Sequence, residues 1–271
     1  MSPKIAALSA PLLLLLISGI TAQVVDLDVV ADVSPGRAGL GPSAQLWLGA
    51  DHLGRSVGAR LFMATGGAVG PGLLAALSGL ALGLPLGAAA GWWDGAASRA
   101  AGAVIDVLGA LPRFVWVLLF AILYGDRPAW IGLGVGVAGA PALALALRAR
   151  IQELRRVSFV EASMLHGVSV AEVLVLHLIG TASRRLIARH LVELFVASVV
   201  VEATLGYIGG FGVQQPAPSW GNMIAFSFGQ REGNALAWIA PAVALQAVVA
   251  TGALLAGAIA EGERGLGGGG G

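Results

Sequence analysis

Long apolar runs, separated by shorter polar stretches, set the pattern of this chain. Six can be followed, at roughly residues 5–25, 64–90, 101–124, 130–147, 191–211 and 236–260. Each is close to the ~20 residues that an α-helix needs to cross the hydrocarbon of a bilayer. The pattern predicts an all-α integral membrane protein with about six transmembrane helices. Composition points the same way. Hydrophobic residues make up 57% of the 271 positions and charged residues 11%, against ~25% charged in a soluble domain. So few charges cannot build a water-facing surface, so most of the surface must face lipid.

The first run contains Pro11 and the leucines from Leu12 to Leu16. It could be a secretory signal, since Lys4 precedes it and Thr21-Ala22 suits a cleavage site. Its apolar stretch exceeds the ~7–15 residues usual there and its charged flank is thin, so we read it as a first transmembrane helix. Orientation follows from the basic residues near the ends of the runs. An inside N-terminus puts Lys4, Arg99, Arg148, Arg150, Arg155, Arg156, Arg184, Arg185, Arg189 and Arg264 on the cytoplasmic side. The outside then receives only Arg37, Arg55, Arg60, Arg127 and Arg231. Both termini are therefore expected in the cytoplasm. The organisation is a first helix to residue 25, an extracytoplasmic segment over 26–63 and a transmembrane core over 64–260. The core holds a cytoplasmic loop at about 149–187 and an outer loop at about 213–235. A flexible, Gly-rich tail follows from 261.

Within the second run, Gly79, Gly83, Gly87 and Gly91 recur every four residues after Ala75. Side chains four apart lie above one another on a helix, so this row leaves a groove that another helix can approach closely. Pro85 within the row is expected to kink the helix. The run from Gly134 through Gly136 to Gly139 matches the spacing of a dinucleotide fingerprint. It lacks the strand before it and the acidic residue ~20 positions on, and we read it as helix packing too. No basic run with interleaved aromatics suggests nucleic acid, and with no cysteine there is no disulfide framework or thiolate site.

The long cytoplasmic loop carries the most informative string. Apolar Ile151, Leu154, Val157, Met164 and Leu165 among charges predict a helix from Arg150 to His166, stopped at Gly167 in a left-handed conformation. Ser169-Val170-Ala171-Glu172 then reads as a capping box opening a second helix to about Ile179, ended by Gly180. Such a helical hairpin can simply connect two spans, or it can form a docking knob.

Glu161-Ala162-Ser163 followed by Gly167 resembles the cytoplasmic loop motif of ABC importer permeases. Two outer strings narrow that resemblance. The stretch from Leu48 to Val57, with Asp51, Gly54 and Arg55, is similar to one preceding the second span in the dipeptide, oligopeptide and nickel class of those permeases. The stretch from Glu202 to Met223, with Pro218, Ser219, Trp220 and Gly221, is similar to the end of their fifth span. The resemblance covers about residues 46–260 and implies a type I permease fold with a coupling helix. It assigns Glu161, Ala162, Ser163, Gly167, Ser169 and Glu172 to ATPase coupling. It also implies partners: a second permease subunit in a heterodimer, two ATPase subunits that hold ATP and Mg, and an extracytoplasmic substrate-binding protein. No cofactor is expected on this chain itself. The implied location is the bacterial cytoplasmic membrane, and the implied cargo is a di- or oligopeptide, a nickel chelate or haem. Downstream the chain departs from the family: Leu176-His177-Leu178-Ile179-Gly180 keeps the His but has no Pro.

Read physically, Asp51, Gly54 and Arg55 make a turn with a charge pair at the membrane edge. Pro216, Pro218 and Trp220 make a stiff loop with an interfacial aromatic. Both suit either a platform for a partner or a plain cap between spans. Asp106, Arg113, Glu193 and Glu202 lie in or near the runs, where ionisable groups usually face the bundle interior or a water path. Asp106 and Arg113, seven apart, are expected on one helix face. Glu202, near mid-span, is the feature that an ion- or proton-coupled secondary transporter would use, although no inverted repeat accompanies it. A membrane enzyme is a weaker alternative. No His-Glu-x-x-His or Gly-x-Ser-x-Gly occurs, the four histidines show no ligand spacing, and Asp26-Leu27-Asp28 is an isolated acidic pair. Nor is there a Walker loop, so ATP hydrolysis would fall to another polypeptide.

Overall fold

The computed structural model describes residues 3–22, 24, 32–124, 127–229 and 233–267; the side chains at 159, 161 and 263–267 are outside that description. Among the described residues, apart from a short 3-10 helix at Pro35–Arg37, ten helices order the chain: α1 (Pro3–Ala22), α2 (Val57–Trp92), α3 (Ala96–Ala110), α4 (Arg113–Tyr124) and α5 (Pro128–Leu154) come first. They are followed by α6 (Ser158–Leu165), α7 (Val170–Ala182), α8 (Arg184–Ile208), α9 (Trp220–Phe228) and α10 (Leu236–Gly267). Among the described residues, α1, α2, α5, α8 and α10 are long and apolar enough to cross a membrane, and α3 with α4, bent by 81° at their break, makes either a broken sixth span or a re-entrant loop. The acidic pair Asp26 and Asp28, the outer Arg231 and the last residues of the Gly tail lie outside the described residues.

That bend corrects the single straight third helix read from hydropathy. Leu111 is extended at φ −92° and ψ 139°. The next residue, Pro112, has no N–H to continue the ladder and disfavours helical backbone before it. Trp116 Nε1 then donates to Leu108 O across the break at 3.0 Å. Asp106 and Arg113 consequently do not share a helix face. They sit on separate helices and both are exposed.

Packing at the centre follows the glycine row. A Cβ on Gly83 would stand 2.9 Å from Leu143, one on Gly87 2.7 Å from Ala144 O, and one on Gly91 3.0 Å from Arg148 O. Helix α5 answers with Gly132 and Gly136, whose positions press on the backbone of Pro71 and Ala75. Backbone-to-backbone approach of this kind supplies the dispersion contacts that hold spans together where lipid removes the hydrophobic drive. Helix α2 continues through Pro71 and Pro85 without a break. It also starts ahead of its hydropathic run, at Val57, because Ser56 Oγ accepts the Ala59 N–H at 3.3 Å.

Pairings between distant residues sort the connections onto two faces. Lys4 meets Glu261 at 2.8 Å, and Arg155 meets Asp94 at 2.7 Å. Arg185 Nη1 donates to Gly262 O. On the opposite face Arg55 Nη1 donates to Gln215 Oε1 at 2.7 Å, and Asn234 Nδ2 to Leu48 O at 2.6 Å. The start of α1, the end of α10 and the α5–α8 connection thus share one face. The segment before α2 and the α8–α10 connection share the other.

Candidate functional site

The α5–α8 connection projects as two helices. The predicted single helix from Arg150 to His166 is divided. Helix α5 ends at Leu154, Val157 is extended, and α6 begins at Ser158. Arg155 anchors the division: Nη1 donates to Trp92 O at 2.5 Å, Nη2 to Asp94 Oδ2 at 2.7 Å, and the guanidinium lies 5.9 Å from the Trp92 ring centroid. The charge-assisted bond from Arg155 holds the Asp94 carboxyl below the usual carboxylate range.

Helix α6 closes in a Schellman motif. Gly167 N–H donates to Met164 O at 3.0 Å, Val168 N–H to Ser163 O at 3.1 Å, and Gly167 takes φ 81°. No atom lies within 4 Å of a Cβ built on Gly167, so backbone conformation, not space, makes the position suit glycine. His166 Nδ1 lies 2.8 Å from Ala162 O. Glu161 lies on α6, with its side chain outside the described residues. Ser169 Oγ accepts the Glu172 N–H at 3.2 Å and opens α7.

Helix α7 corrects the expected stop at Gly180. After its first turn it is π-helical from Val173 to Ala182. Thr181 Oγ1 donates to Leu176 O at 2.9 Å, and Ser183 N–H to Leu178 O at 2.8 Å, both five residues back. Buried Val173, Leu174 and Leu178 pack with Trp92, Leu147, Ile151 and Val160 and hold this wide helix to the bundle. The outward side is different: Leu165 is 82% exposed, Leu176 57% and Val175 55%. The knob therefore has a buried root and an apolar tip.

The strings around Asp51 and Trp220 fold into a polar lock: the expected turn with its Asp51–Arg55 charge pair is present and buried, whereas Trp220 lies in the core and not at an interface. Asp51 is 4% exposed. Its Oδ1 accepts the N–H groups of Leu53 and Arg55 at 2.9 and 3.0 Å, and its Oδ2 accepts Arg55 Nε at 2.8 Å. Arg60 Nε stands 3.6 Å from the same oxygen, and Arg60 Nη1 donates to Pro216 O at 3.3 Å. Gly54 turns the chain at φ 80°, where a Cβ would strike Ser34 O. Burial holds the His52 imidazole below its ordinary range, outweighing the opposing pull of Asp51.

The α8–α9 segment is strapped to this lock. Ser219 and Asn222 form a reciprocal capping box, and Asn222 Nδ2 also donates to Val213 O at 3.0 Å and Ala217 O at 3.1 Å. Pro218 precedes the box. Trp220 is 2% exposed, within a core shared with Val57, Ala68 and Met223. Gly221 lies against Ala203 O, where no side chain fits. Glu202 is 1% exposed and stands six residues before the α8 terminus at Ile208, halfway between that end and the helix centre. Gly212 of the strap covers it, with a Cβ there 3.5 Å from Oε1.

Sequence reasoning passed over Gln215 and Asp94, used Arg60 and Arg155 for orientation alone, and held Asn222 only as part of a family string. Only Asn222 carried a local signal, three residues after Ser219. The others pair over long sequence separations. Among the described residues no His, Cys, Asp and Glu cluster could hold a metal.

Comparison with known proteins yields one family model, described as a binding-protein-dependent transport system inner membrane component, over residues 83–262. The glutathione transport system permease protein GsiD of Pectobacterium atrosepticum is 27% identical over 188 residues, covering 69% of this chain and 62% of that one. The nickel transport system permease protein NikC of Escherichia coli K12 is 31% identical over 185 residues, covering 68% and 66%. This chain thus spans just under two thirds of the length of these curated relatives. A chain of the MetNI methionine ABC transporter, solved in inward-facing conformations, matches in fold with a TM-score of 0.55 at 16% identity, over 76% of this chain and 95% of that one.

Proposed function

The chain belongs to the family of binding-protein-dependent transport system inner membrane components, and from that premise we propose that it forms half of the translocation pathway of an ABC importer of the peptide and nickel class. A second permease subunit supplies the other half, and two ATPase subunits dock on the α6–α7 knob. A binding protein delivers cargo to the opposite face. The knob side faces the cytoplasm, in keeping with the excess of basic residues on that side, and both termini lie there. The relatives' names refer to glutathione and nickel. The proposed cargo is accordingly a di- or oligopeptide, with a nickel chelate or haem as the other cargoes of this class.

The observation that carries this reading is the apolar tip of the knob. Leu165, Val175 and Leu176 are exposed on the two helices of the α5–α8 connection. An exposed apolar patch of this kind is what a protein partner covers. Arg155 and the root of α7 tie that tip to α2 and α5. A push on the tip would thus reach the two spans that pack backbone against backbone. The apolar root makes transmission through a rigid body physically reasonable.

The test is uptake in cells or vesicles carrying the full set of subunits. Gly167→Asp should leave membrane abundance unchanged and abolish ATP-dependent uptake, because a side chain at this φ strains the turn between α6 and α7 and adds a charge at the proposed docking surface. Normal uptake by the variant at wild-type abundance would overturn the reading. Uptake driven by an ion gradient without ATP would instead favour a secondary transporter working through Glu202.

A further inference from the structure

We propose that the cleft between α1, α8 and α10 on the knob side of the bundle is a binding site for one anionic phospholipid. The cleft has a volume of about 710 Å³ and is lined by Lys4, Arg184, Arg185 and Glu261. Three cations thus face a single carboxylate among the described residues. It also abuts the first turn of α8 at Arg184 and Arg185, the helix end at which N–H groups and the helix dipole favour an anion. The positive charge here has a use that its own ion pairs do not exhaust: the Lys4–Glu261 pair is solvent-exposed on both sides, and such a pair holds little energy against a better partner.

The second half of the argument lies toward the membrane interior. An apolar groove of about 400 Å³ is lined by Leu13, Leu16, Leu73, Leu77 and Phe195. It shares Ser9 and Leu255 with the basic cleft, so the two are continuous. A basic cleft that opens onto an acyl-chain-sized groove at membrane depth matches a lipid with an anionic headgroup. A free phosphate would leave the groove unused, and a neutral lipid would leave the cations unmatched. Basic pockets between spans on the cytoplasmic side recognise anionic headgroups in this way. The site borrows from the proposed function only the leaflet: the knob side is the cytoplasmic one, where Lys and Arg anchor to anionic lipid.

The probe is dioleoylphosphatidylglycerol, compared with dioleoylphosphatidylcholine. Each is added to the delipidated full chain in detergent, and bound lipid is counted by native mass spectrometry. The wild type should bind the anionic lipid first, with one lipid retained. Each basic contact is worth roughly fivefold in affinity. R184Q/R185Q should therefore weaken phosphatidylglycerol by roughly twentyfold and K4Q by roughly fivefold, with phosphatidylcholine unchanged in both. Leu77→Trp, at an exposed groove position, should weaken both lipids, and Arg99→Gln, on the same side but outside the cleft, should weaken neither. Equal binding of the two lipids by the wild type would overturn the proposal. So would undiminished phosphatidylglycerol binding by both K4Q and R184Q/R185Q, or displacement of the lipid by glycerol 3-phosphate. Cross-linking of a Leu77→Cys chain to a second membrane protein, with lipid excluded, would assign the groove to that protein instead. The assay reads no transport, so its failure and that of the permease reading are separable.

Discussion

The face opposite the knob buries polar groups, and the knob face exposes apolar ones. In the lock, Asp51, Arg55, Arg60, Ser219 and Asn222 are all buried and bond to one another or to nearby backbone. In the knob, Leu165, Val175 and Leu176 stand in the open while the polar Ser169 serves only to cap a helix. Buried charge is tolerable only when it is paired, and in the lock Asp51 pairs with both Arg55 and Arg60 within this chain. The exposed apolar surface of the knob is the contrary case, and it is the surface that the proposed ATPase partner would cover. The two sets of strings thus differ: one closes on itself, and the other leaves apolar side chains exposed.

The largest expected way to break this contrast is Asp51→Ala. It strands two buried guanidinium groups, and removal of one partner from such a cluster costs about 3–5 kcal/mol. The thermal midpoint of the detergent-purified chain should fall steeply. Replacing Asp51, Arg55 and Arg60 together by Leu, Leu and Met should recover most of the loss. A midpoint that Asp51→Ala leaves unmoved would mean the lock is not structural.

Gly87→Leu probes the frame between the two faces. Its Cβ would stand 2.7 Å from Ala144 O, and overpacking of this kind costs about 1–3 kcal/mol. The same measurement applies, and Ala in place of Leu should be milder. Next comes Ser169→Ala, which removes the cap of α7 and should cost about 1 kcal/mol. The loss should appear as faster hydrogen exchange in the first turn of α7, with exchange in α2 unchanged.

The smallest effect is expected at Asp94. Its carboxyl is held below the ordinary range by Arg155. Its contribution is therefore complete above about pH 4, the unfolded carboxyl value, and fades as pH falls through the lowered folded value. Hydrogen exchange over residues 155–165 should rise in the wild type below about pH 4. In Asp94→Asn it should be higher already and indifferent to pH in that window. An acid response that persists in the variant would assign it to another carboxyl.

Much of the fold was legible because its signals are local. A run of apolar residues, a Gly every fourth position, a Ser three places before a Glu and a Gly after a helical pattern each act through bonds a few residues long. The bend at Pro112 belongs to this group, although the hydropathy of residues 101–124 hid it. The missed pieces are of another kind. The passage of α7 through Gly180 depends on Val173, Leu174 and Leu178 finding Trp92 and Ile151. The burial of Trp220 depends on α2 and α9 meeting. Periodicity along one segment carries no information on the segment that will pack against it.

By itself, then, the sequence determined roughly where the apolar rods lie, the face on which α2 could be approached, two of the helix caps and the side richer in positive charge. Only the tertiary structure decided which charges are buried and with whom. Arg55 reaches Gln215 and Arg155 reaches Asp94 across 160 and 61 positions. The physical reason is range: helix hydrogen bonds and hydropathy are settled between near neighbours, whereas a charge finds its partner only after helix packing has fixed which ends of the bundle lie together.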